Sequence, residues 1–232
     1  MMQHQNAFEI DRTNYVSHHV NLTVIEKPEN LLSPYFLNWY GKVISIADIF
    51  FSMALFFIFI SCLPFVWLSN LLFSPGPLFY KQSRVGKNGK IFAMIKFRSM
   101  KIDAESDGVA RFTIQNDKRV TPVGSFLRKT RIDELPQVIN ILRGEMTLIG
   151  PRPERPEFVN EFIRQEPNYE LRSLVKPGIT GWGQVKYKYT STLEEGLKKL
   201  EYDLHFIKNR NLSMDFEIIC RTFITVISRT GT

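Results

Sequence analysis

The chain has 232 residues and a formal net charge of +7, from 30 basic and 23 acidic residues. This length fits one catalytic domain with an attachment segment better than two full domains. Two cysteines and four histidines form no disulfide framework and no zinc-ligand spacing. The composition therefore predicts a reducing compartment and gives no support for zinc or Ser-His-Asp chemistry.

The positive charge is concentrated in one part of the chain. From Lys81 to Arg131 there are 13 Lys or Arg residues and 4 Asp or Glu residues, a local excess of +9. A segment of this kind attracts phosphate groups, whether they belong to nucleic acid, lipid headgroups or nucleotides. We therefore expect an anionic partner.

A long apolar run follows an irregular N-terminal segment. Residues 1–40 show no sustained periodicity, and we predict a loosely structured leader. Val43 to Phe73 carry a single charge, Asp48, and exceed the roughly 20 residues that a bilayer span needs. Pro64 is expected to break or kink a helix there. The residues alone leave two topologies open, a helix that crosses the membrane and a re-entrant helix that bends near Pro64.

A β-hairpin is predicted directly after the apolar run. Its strands cover Leu78–Gln82 and Ile91–Phe97, and the Asn-Gly pair at residues 88–89 is typical of a tight turn. Its Lys and Arg residues either face lipid headgroups or are simply solvated. Three acids follow in a polar loop, where solvation is a better interpretation than a metal site. These acids are Asp103, Glu105 and Asp107.

The most informative stretch is residues 128–153. Asp133 and Glu134 are adjacent at the start of a helix predicted over Asp133–Leu142. Taken alone, the two acids are most simply a helix cap and a first-turn acid favoured by the helix dipole. The neighbouring cations favour instead a phosphate site at the helix N-terminus. These cations are Arg128, Lys129, Arg131 and, in a rigid Gly-Pro-Arg-Pro turn, Arg152.

The C-terminal third contains one glycine-rich loop and two helices. In the loop from Val175 to Tyr189, Trp182 and the tyrosines either stack on a base or pack structurally. Thr192 to Arg210 predict an amphipathic helix with a capping box formed by its first residue and Glu195. Leu212 to Ser228 predict a last amphipathic helix that could lie in the membrane interface.

Three stretches between about residues 76 and 219 carry a family resemblance. They read GPLFYKQSRVG with IFAMIKFRSM, then NDKRVTPVGSFLRKTRIDELPQVINILRGEMTLIGPRPERPEF, then VKPGITGWGQV with LEYDLHFIKNRNLSMDFEII. In this order they resemble the bacterial sugar transferases, the monotopic polyprenyl-phosphate phosphoglycosyl transferases. PRPERPEF and YDLHFIKNRNLSMD look closest to members in exopolysaccharide export. The chain departs from the family at Cys62-Leu63-Pro64, where Ser-Pro is usual, and at Gly183, where alanine is usual.

The resemblance implies an α+β, mainly helical fold. Residues 41–75 would form a re-entrant membrane helix, and residues 76–232 a β-hairpin followed by a small helical cytoplasmic catalytic domain. The implied enzyme works at the cytoplasmic face of the bacterial inner membrane. It transfers a sugar-1-phosphate from a UDP-sugar to undecaprenyl phosphate and releases UMP, as a first membrane step of exopolysaccharide or glycoconjugate synthesis.

The resemblance also implies roles for single residues. Asp133 would be the nucleophile that forms a covalent phosphosugar intermediate, and Glu134 would handle a proton or hold Mg²⁺, the expected cofactor. The substrate phosphates would be bound by Arg128, Arg152, Lys96 and Arg98. The nucleotide or sugar would contact Thr180, Trp182 and Gln184, and Pro64 would be the helix break.

The expected partners follow from the same resemblance. They are a UDP-sugar, undecaprenyl phosphate and membrane lipids, without nucleic acid, and a homodimer is left open. Two alternatives belong to other classes of protein. One is a membrane-anchored basic binding module, and the other is an inactive scaffold of a polysaccharide assembly complex.

Overall fold

The computed structural model describes residues 32–37, 39–114, 116–187 and 192–228. Most of the predicted leader, and the end of the glycine-rich loop, lie outside these residues. Helices predominate in the described part, beside a two-stranded antiparallel sheet and a two-stranded parallel sheet. The predicted mainly helical fold with a small hairpin is confirmed at this level.

The elements follow one another in a simple order. The α-helices are α1 (Pro34–Leu37), α2 (Trp39–Phe73), α3 (Pro122–Lys129), α4 (Val138–Leu142), α5 (Pro156–Gln165), α6 (Trp182–Lys186), α7 (Leu193–Asn209) and α8 (Leu212–Ile227). The strands are β1 (Phe79–Val85), β2 (Ile91–Phe97), β3 (Thr147–Ile149) and β4 (Gly178–Thr180). The 3₁₀ segments are Lys87–Gly89, Ile132–Gln137 and Pro167–Leu174.

The long helix α2 is apolar and only partly covered. It has 35 residues and is long and apolar enough to cross a membrane. The helix continues through Pro64, so the break expected there is not an interruption of the helix. Phe59 and Val66 pack into a buried cluster with Phe97 of β2. Most other apolar side chains of α2 are exposed, and Phe65 is 75% exposed.

The chain before α2 is held by the two C-terminal helices. The backbone N–H of Ser33 donates to the carbonyl of Ile207 at 2.9 Å, and its hydroxyl donates to the carbonyl of Arg210 at 2.8 Å. Within α2, Asp48 accepts a hydrogen bond from the backbone N–H of Leu148 at 3.2 Å and another from the hydroxyl of Thr147. These contacts tie the first third of α2 to β3.

The predicted hairpin is confirmed, with β2 at the predicted residues. Phe79 lies opposite Phe97 and Val85 opposite Ile91. Asn88 and Gly89 both have positive φ angles, 55° and 71°, which is the reason that this residue pair favours the turn.

One edge of β2 is closed by a side chain instead of a third strand. Asn140, which is fully buried, accepts a hydrogen bond from the N–H of Ile95 at 3.0 Å and donates one to the carbonyl of Ala93 at 2.8 Å. Backbone groups at a strand edge need such partners when they are buried. The amide of Asn140 therefore docks α4, and the segment before it, on the hairpin.

The parallel pair of β3 and β4 was not predicted. Thr147 lies opposite Gly178 and Ile149 opposite Thr180. Glycine makes this approach possible, because a Cβ atom at Gly181 would lie 2.1 Å from the carbonyl oxygen of Gly150. The turn that carries Arg152 is therefore pressed against the glycine-rich loop.

The two C-terminal helices are confirmed. Thr192 and Glu195 form the predicted capping box of α7. α8 buries Met214 and Ile218 in a core cluster. Its outer apolar side chains, which include Phe216, are exposed.

Candidate active site

The acid pair lies in a constrained turn and does not cap a helix. Arg131, the residue before the 3₁₀ segment Ile132–Gln137, has a left-handed backbone with φ of 59°, and no side chain caps this segment. A non-glycine residue in that region costs on the order of 1 kcal/mol or more. Pro136 lacks an N–H group, which favours a 3₁₀ start over the regular helix that was predicted from Asp133. The predicted helix cap is therefore wrong, whereas both acids do lie in the first turn of the 3₁₀ segment.

Glu134 is surrounded by cations. Its Oε1 atom lies 2.6 Å from an Nη2 atom of Arg152 and 3.1 Å from the Nζ atom of Lys96. Its Oε2 atom is 4.0 Å from a guanidinium nitrogen of Arg131. Burial alone would raise the pKa of Glu134, but these three cations outweigh it and hold that pKa well below its usual range. Glu134 is therefore an anchored carboxylate.

Asp133 has the opposite environment. It is buried, and its Oδ1 atom is fully enclosed without a hydrogen-bond partner among the described residues. Burial and the neighbouring charge of Glu134 raise the pKa of Asp133 to about 6, although Lys96, Arg128 and Arg131 lower it in part. Two adjacent carboxylates are thus separated by environment, which is a frequent property of reactive groups.

Two of the predicted phosphate ligands accompany the pair closely. Lys96 and Arg152 contact Glu134 directly, and burial lowers the pKa of Lys96 to about 8 against the attraction of Glu134. Arg128 is half-buried at the end of α3 and interacts electrostatically with both carboxylates.

Arg98 is not brought to the acid pair. Its guanidinium donates to the side chains of Asn70 and Ser74 at the end of α2, and to the carbonyl of Pro77 at 2.7 Å. Burial is the influence that lowers the pKa of Arg98, and neither carboxylate of the pair contributes. The structure therefore assigns its donors to α2, where they hold the end of the helix on the hairpin.

The residues predicted to bind nucleotide or sugar are engaged in packing. The hydroxyl of Thr180 lies 2.7 Å from that of Thr222 in α8. Trp182 stacks on His205, and the ammonium of Lys186 lies 4.3 Å from its ring centroid. Gln184 donates to the carbonyl of Ile179, while its Oε1 atom is buried without a partner among the described residues. These contacts favour the packing interpretation for Trp182, and the hydroxyl of Thr180 is engaged within the protein.

A second layer of buried charge lies behind Arg152 and was not predicted. Its members are Arg84, Glu154, Arg172, Lys199 and Asp203. Lys199 and Asp203 are four residues apart on α7 and therefore lie on one face. The sequence contained one signal for this layer, because Lys199 and Asp203 lie beside the apolar stripe of α7. Periodicity alone places them at the edge of that stripe and does not predict that they are buried.

The loop acids form ion pairs. Glu105 contacts Arg155 at 2.8 Å, and Asp107 pairs with Arg111. Across the residues that the structure describes, no group of three or more His, Cys, Asp or Glu side chains is arranged to hold a metal ion. A metal at the acid pair would therefore need ligands from the substrate.

The site as a whole has an excess of positive charge. Among the described residues, the electrostatically linked cluster contains four carboxylates and seven cations. Asp117 and Arg155 also act on its members but are paired with Arg119 and Glu105, so they are left out. The carboxylates are Asp133, Glu134, Glu154 and Asp203, and the cations are Lys96, Arg84, Arg128, Arg131, Arg152, Arg172 and Lys199. Buried positive charge without counterions is unfavourable, so the arrangement suits an anionic ligand.

The comparisons with known proteins agree with this chemistry. A family described as Bacterial sugar transferase matches residues 39–229. An Aeromonas hydrophila UDP-N-acetylgalactosamine-undecaprenyl-phosphate N-acetylgalactosaminephosphotransferase is 46% identical over 158 residues, which are 68% of this chain and 37% of that protein. An Escherichia coli (strain K12) UDP-glucose:undecaprenyl-phosphate glucose-1-phosphate transferase is 45% identical over 161 residues, 68% of this chain and 34% of that protein.

A shorter relative is similar along almost its whole length. The exopolysaccharide production protein PSS of Rhizobium leguminosarum bv. phaseoli is 37% identical over 188 residues, which cover 78% of this chain and 94% of that protein. By contrast, this chain spans about a third of the length of the first two relatives. The family match includes α2, the hairpin and the acid pair. The chain belongs to the bacterial sugar transferase family.

Proposed function

We propose that the protein is a phosphoglycosyl transferase that moves a sugar-1-phosphate from a UDP-sugar to undecaprenyl phosphate and releases UMP. One observation carries this proposal. The buried Oδ1 atom of Asp133 has no hydrogen-bond partner among the described residues, and the neighbouring Glu134 is an ionised carboxylate paired with Arg152. The relatives named above, which act on undecaprenyl phosphate, support the same acceptor.

In the proposed reaction Asp133 is the nucleophile. A carboxylate oxygen attacks the phosphorus that carries the sugar, and the bond from that phosphorus to the bridging oxygen breaks, so that UMP leaves with the oxygen. The acyl phosphosugar is then attacked by the lipid phosphate, which restores the carboxylate. A carboxylate is activated here by position and by neutralisation of its anionic target. Lys96, Arg128 and Arg152 supply that positive charge.

The residues fit the expected Mg²⁺ as a cofactor shared with substrate. The Oε1 atom of Glu134 is occupied by Lys96 and Arg152, whereas its Oε2 atom lies 4.0 Å from the nearest cation, Arg131. Mg²⁺ commonly uses one or two carboxylates together with substrate phosphates. When bound, the ion would neutralise charge on the diphosphate, and Glu134 would be its protein ligand.

We further propose that α2 enters the cytoplasmic leaflet of the inner membrane without crossing it. The segment before α2 is held by Ser33 on the C-terminal helices, and the end of α2 is held by Arg98 on the hairpin. Both flanks of the helix therefore contact the same body. From Asp48 to Asn70 the helix rises roughly 33 Å, about one hydrocarbon thickness. A crossing helix would draw the attached domain into the lipid.

UMP release from a panel of UDP-sugars tests the function. The full-length protein in detergent or nanodiscs, with Mg²⁺ and undecaprenyl phosphate, should release UMP from at least one donor. Asp133→Asn should abolish turnover while the protein remains folded, because a neutral amide removes an unpaired buried charge. Glu161→Gln, at an exposed ion pair with Arg164, is the matched control and should retain full activity.

Trapping identifies the intermediate. With a donor labelled in the sugar and no lipid acceptor, acid quenching should leave label on the wild-type protein and none on Asp133→Asn. Full activity in Asp133→Asn would refute the nucleophile assignment. Salt-sensitive binding of anionic lipid or nucleic acid, with no UMP from any donor, would favour a basic binding module instead.

A further inference from the structure

We propose that Arg172 is a positioning residue that aims Arg152 at the acid pair, and this inference rests on the proposed function. The Nη2 atom of Arg172 donates to the backbone carbonyl of Arg152 at 2.9 Å. The side chain of Arg152 in turn donates to Glu134 at 2.6 Å. Arg172 thus does not contact the acid pair itself. It holds the backbone of Arg152, whose side chain contacts Glu134.

Arg172 is itself fixed on three sides. Its Nε atom donates to Asp203 of α7 at 2.8 Å, and its Nη1 atom donates to the hydroxyl of Tyr169 at 2.7 Å. The guanidinium also stacks over the Tyr169 ring, 4.7 Å from the centroid. The side chains of Arg172 and Asp203 are 8% and 2% exposed. A fully bonded guanidinium buried in this way has one orientation, so it can define the position of the carbonyl that it holds.

A second arginine holds the next residue of the same turn. Arg84 of β1 donates to the carbonyl of Pro153 at 2.9 Å and to Glu154 at 3.3 Å. Two successive carbonyls of the turn therefore accept hydrogen bonds from two arginines. Arg84 lies in β1 and Arg172 in the 3₁₀ segment Pro167–Leu174. We name Arg84 and Arg172 the arginine clamp.

The clamp matters because it holds the two carbonyls between those bound by backbone N–H groups. The N–H of Gly178 donates to the carbonyl of Pro151 at 2.9 Å, and the N–H of Val85 donates to that of Glu154 at 3.0 Å. A hydrogen-bond donor that is displaced by about an ångström from a developing charge can lower the reaction rate on the order of a hundredfold. The geometry therefore predicts that loss of Arg172 is felt through Arg152.

A double-mutant cycle tests this coupling. Arg172→Gln, Arg152→Ala and the double variant of the full-length protein are assayed for UMP release and for urea unfolding. Arg172→Gln should lower kcat/KM about tenfold when Arg152 is present and less than about twofold in the Arg152→Ala protein, since residues acting as a unit are not additive. The losses in unfolding free energy need not add, because the two residues are in contact, so the assays use folded protein and the coupling is read from kcat/KM.

Two further variants keep the test decisive if Arg172→Gln does not fold. Asp203→Asn preserves the volume and one acceptor oxygen for Arg172, and it should show the same pattern with a smaller loss. Arg210→Gln is the matched control, because Arg210 is also a buried arginine bonded to a carboxylate, Asp215, but it follows the last residue of α7 and lies over Tyr35 and Phe36. It should lose equal activity in both backgrounds.

The outcomes separate the clamp from the function. Equal losses of kcat/KM for Arg172→Gln with and without Arg152 would overturn the positioning role and leave the enzyme assignment intact. A wild-type protein without UMP release would overturn the function first. In that case calorimetric binding of UDP to the same four proteins replaces turnover, and additive changes in affinity would overturn the clamp.

Discussion

At the scale of single residues, the proposed active site depends on two neighbouring carboxylates that differ in pKa. Glu134 is held ionised by Arg152, Lys96 and Arg131, whereas burial raises the pKa of Asp133 to about 6. A nucleophilic carboxylate must be ionised. We therefore expect kcat/KM to fall as the pH drops through about 6, because kcat/KM reports groups of the free enzyme.

Lys96 is expected to set the alkaline limb of the dependence of kcat/KM on pH. Burial lowers its pKa to about 8, so the ammonium loses its charge as the pH rises through that value, and the phosphate site loses a cation. Wild-type kcat/KM should therefore be bell-shaped, with a maximum near neutral pH. Lys96→Arg should remove the alkaline limb, since a guanidinium stays protonated, while the acid limb of Asp133 remains.

The control for this experiment is Lys101→Arg, which changes an exposed lysine of the same segment. Its profile should match that of the wild type. An alkaline limb that persists unchanged in Lys96→Arg would show that another group, or the substrate, titrates there. Reduced activity at all pH values would instead indicate that the longer side chain does not fit.

At the scale of secondary-structure elements, the sequence predicted periodic and turn-marked segments well. The capping box of α7 and the positive φ angles at Asn88 and Gly89 are local properties, so the residues themselves specify them. The β3–β4 pair is three residues per strand and joins segments 31 residues apart, so no local pattern marks it. The contacts of the arginine clamp likewise join residues 69 and 20 positions apart, so no local pattern marks them either.

Arg98 shows how a motif can be placed correctly in sequence and differently in space. Lys96 lies on β2 and Arg98 directly follows its last residue, so the period of an extended chain predicts that the two side chains point in the same direction. The strand has ended at Arg98, and its guanidinium donates to acceptors at the end of α2, namely the side chains of Asn70 and Ser74 and the carbonyl of Pro77. Lys96 and Arg98 therefore serve different sites, although the sequence places them on the same face of an extended chain.

Replacement of Arg98 should separate the two half-reactions. Arg98→Gln removes charged hydrogen bonds that hold the end of α2, with a cost of about 1–3 kcal/mol in stability. UMP release in a single burst without acceptor should be retained, whereas steady-state transfer to undecaprenyl phosphate should slow about tenfold, or roughly 1.4 kcal/mol. Rapid-quench and steady-state assays on the same preparation measure the two quantities.

The control variant is Arg111→Gln, an exposed arginine paired with Asp107 in the neighbouring loop. It should leave both the burst and steady-state transfer unchanged. If Arg98→Gln instead abolished the burst to the same degree as Arg152→Ala, Arg98 would contact the donor phosphates, as the family resemblance implied.

At the scale of the whole molecule, the apolar helix and the charged site are parts of one body. α2 packs Phe59 and Val66 against Phe97 of the hairpin, and Phe97 adjoins the strand position of Lys96. In the proposed reaction a soluble nucleotide and a lipid phosphate reach the same carboxylate, and this packing brings the apolar helix next to it. The resemblance anticipated this arrangement, but only the contacts on both flanks of α2 give it a physical cause.

Those contacts predict where the N-terminus lies. If both flanks of α2 bind the cytoplasmic domain, a residue before Ser33 is on the same side of the membrane as α8, whose Cys220 is exposed. We would replace Cys62 by serine and introduce Asn21→Cys, so that residues 21 and 220 carry the two thiols. A membrane-impermeant maleimide should label neither thiol in intact cells and both thiols after permeabilisation. A helix that crossed the membrane would expose residue 21 alone to the reagent in intact cells, and that pattern would overturn the topology while leaving the chemistry of Asp133 untouched.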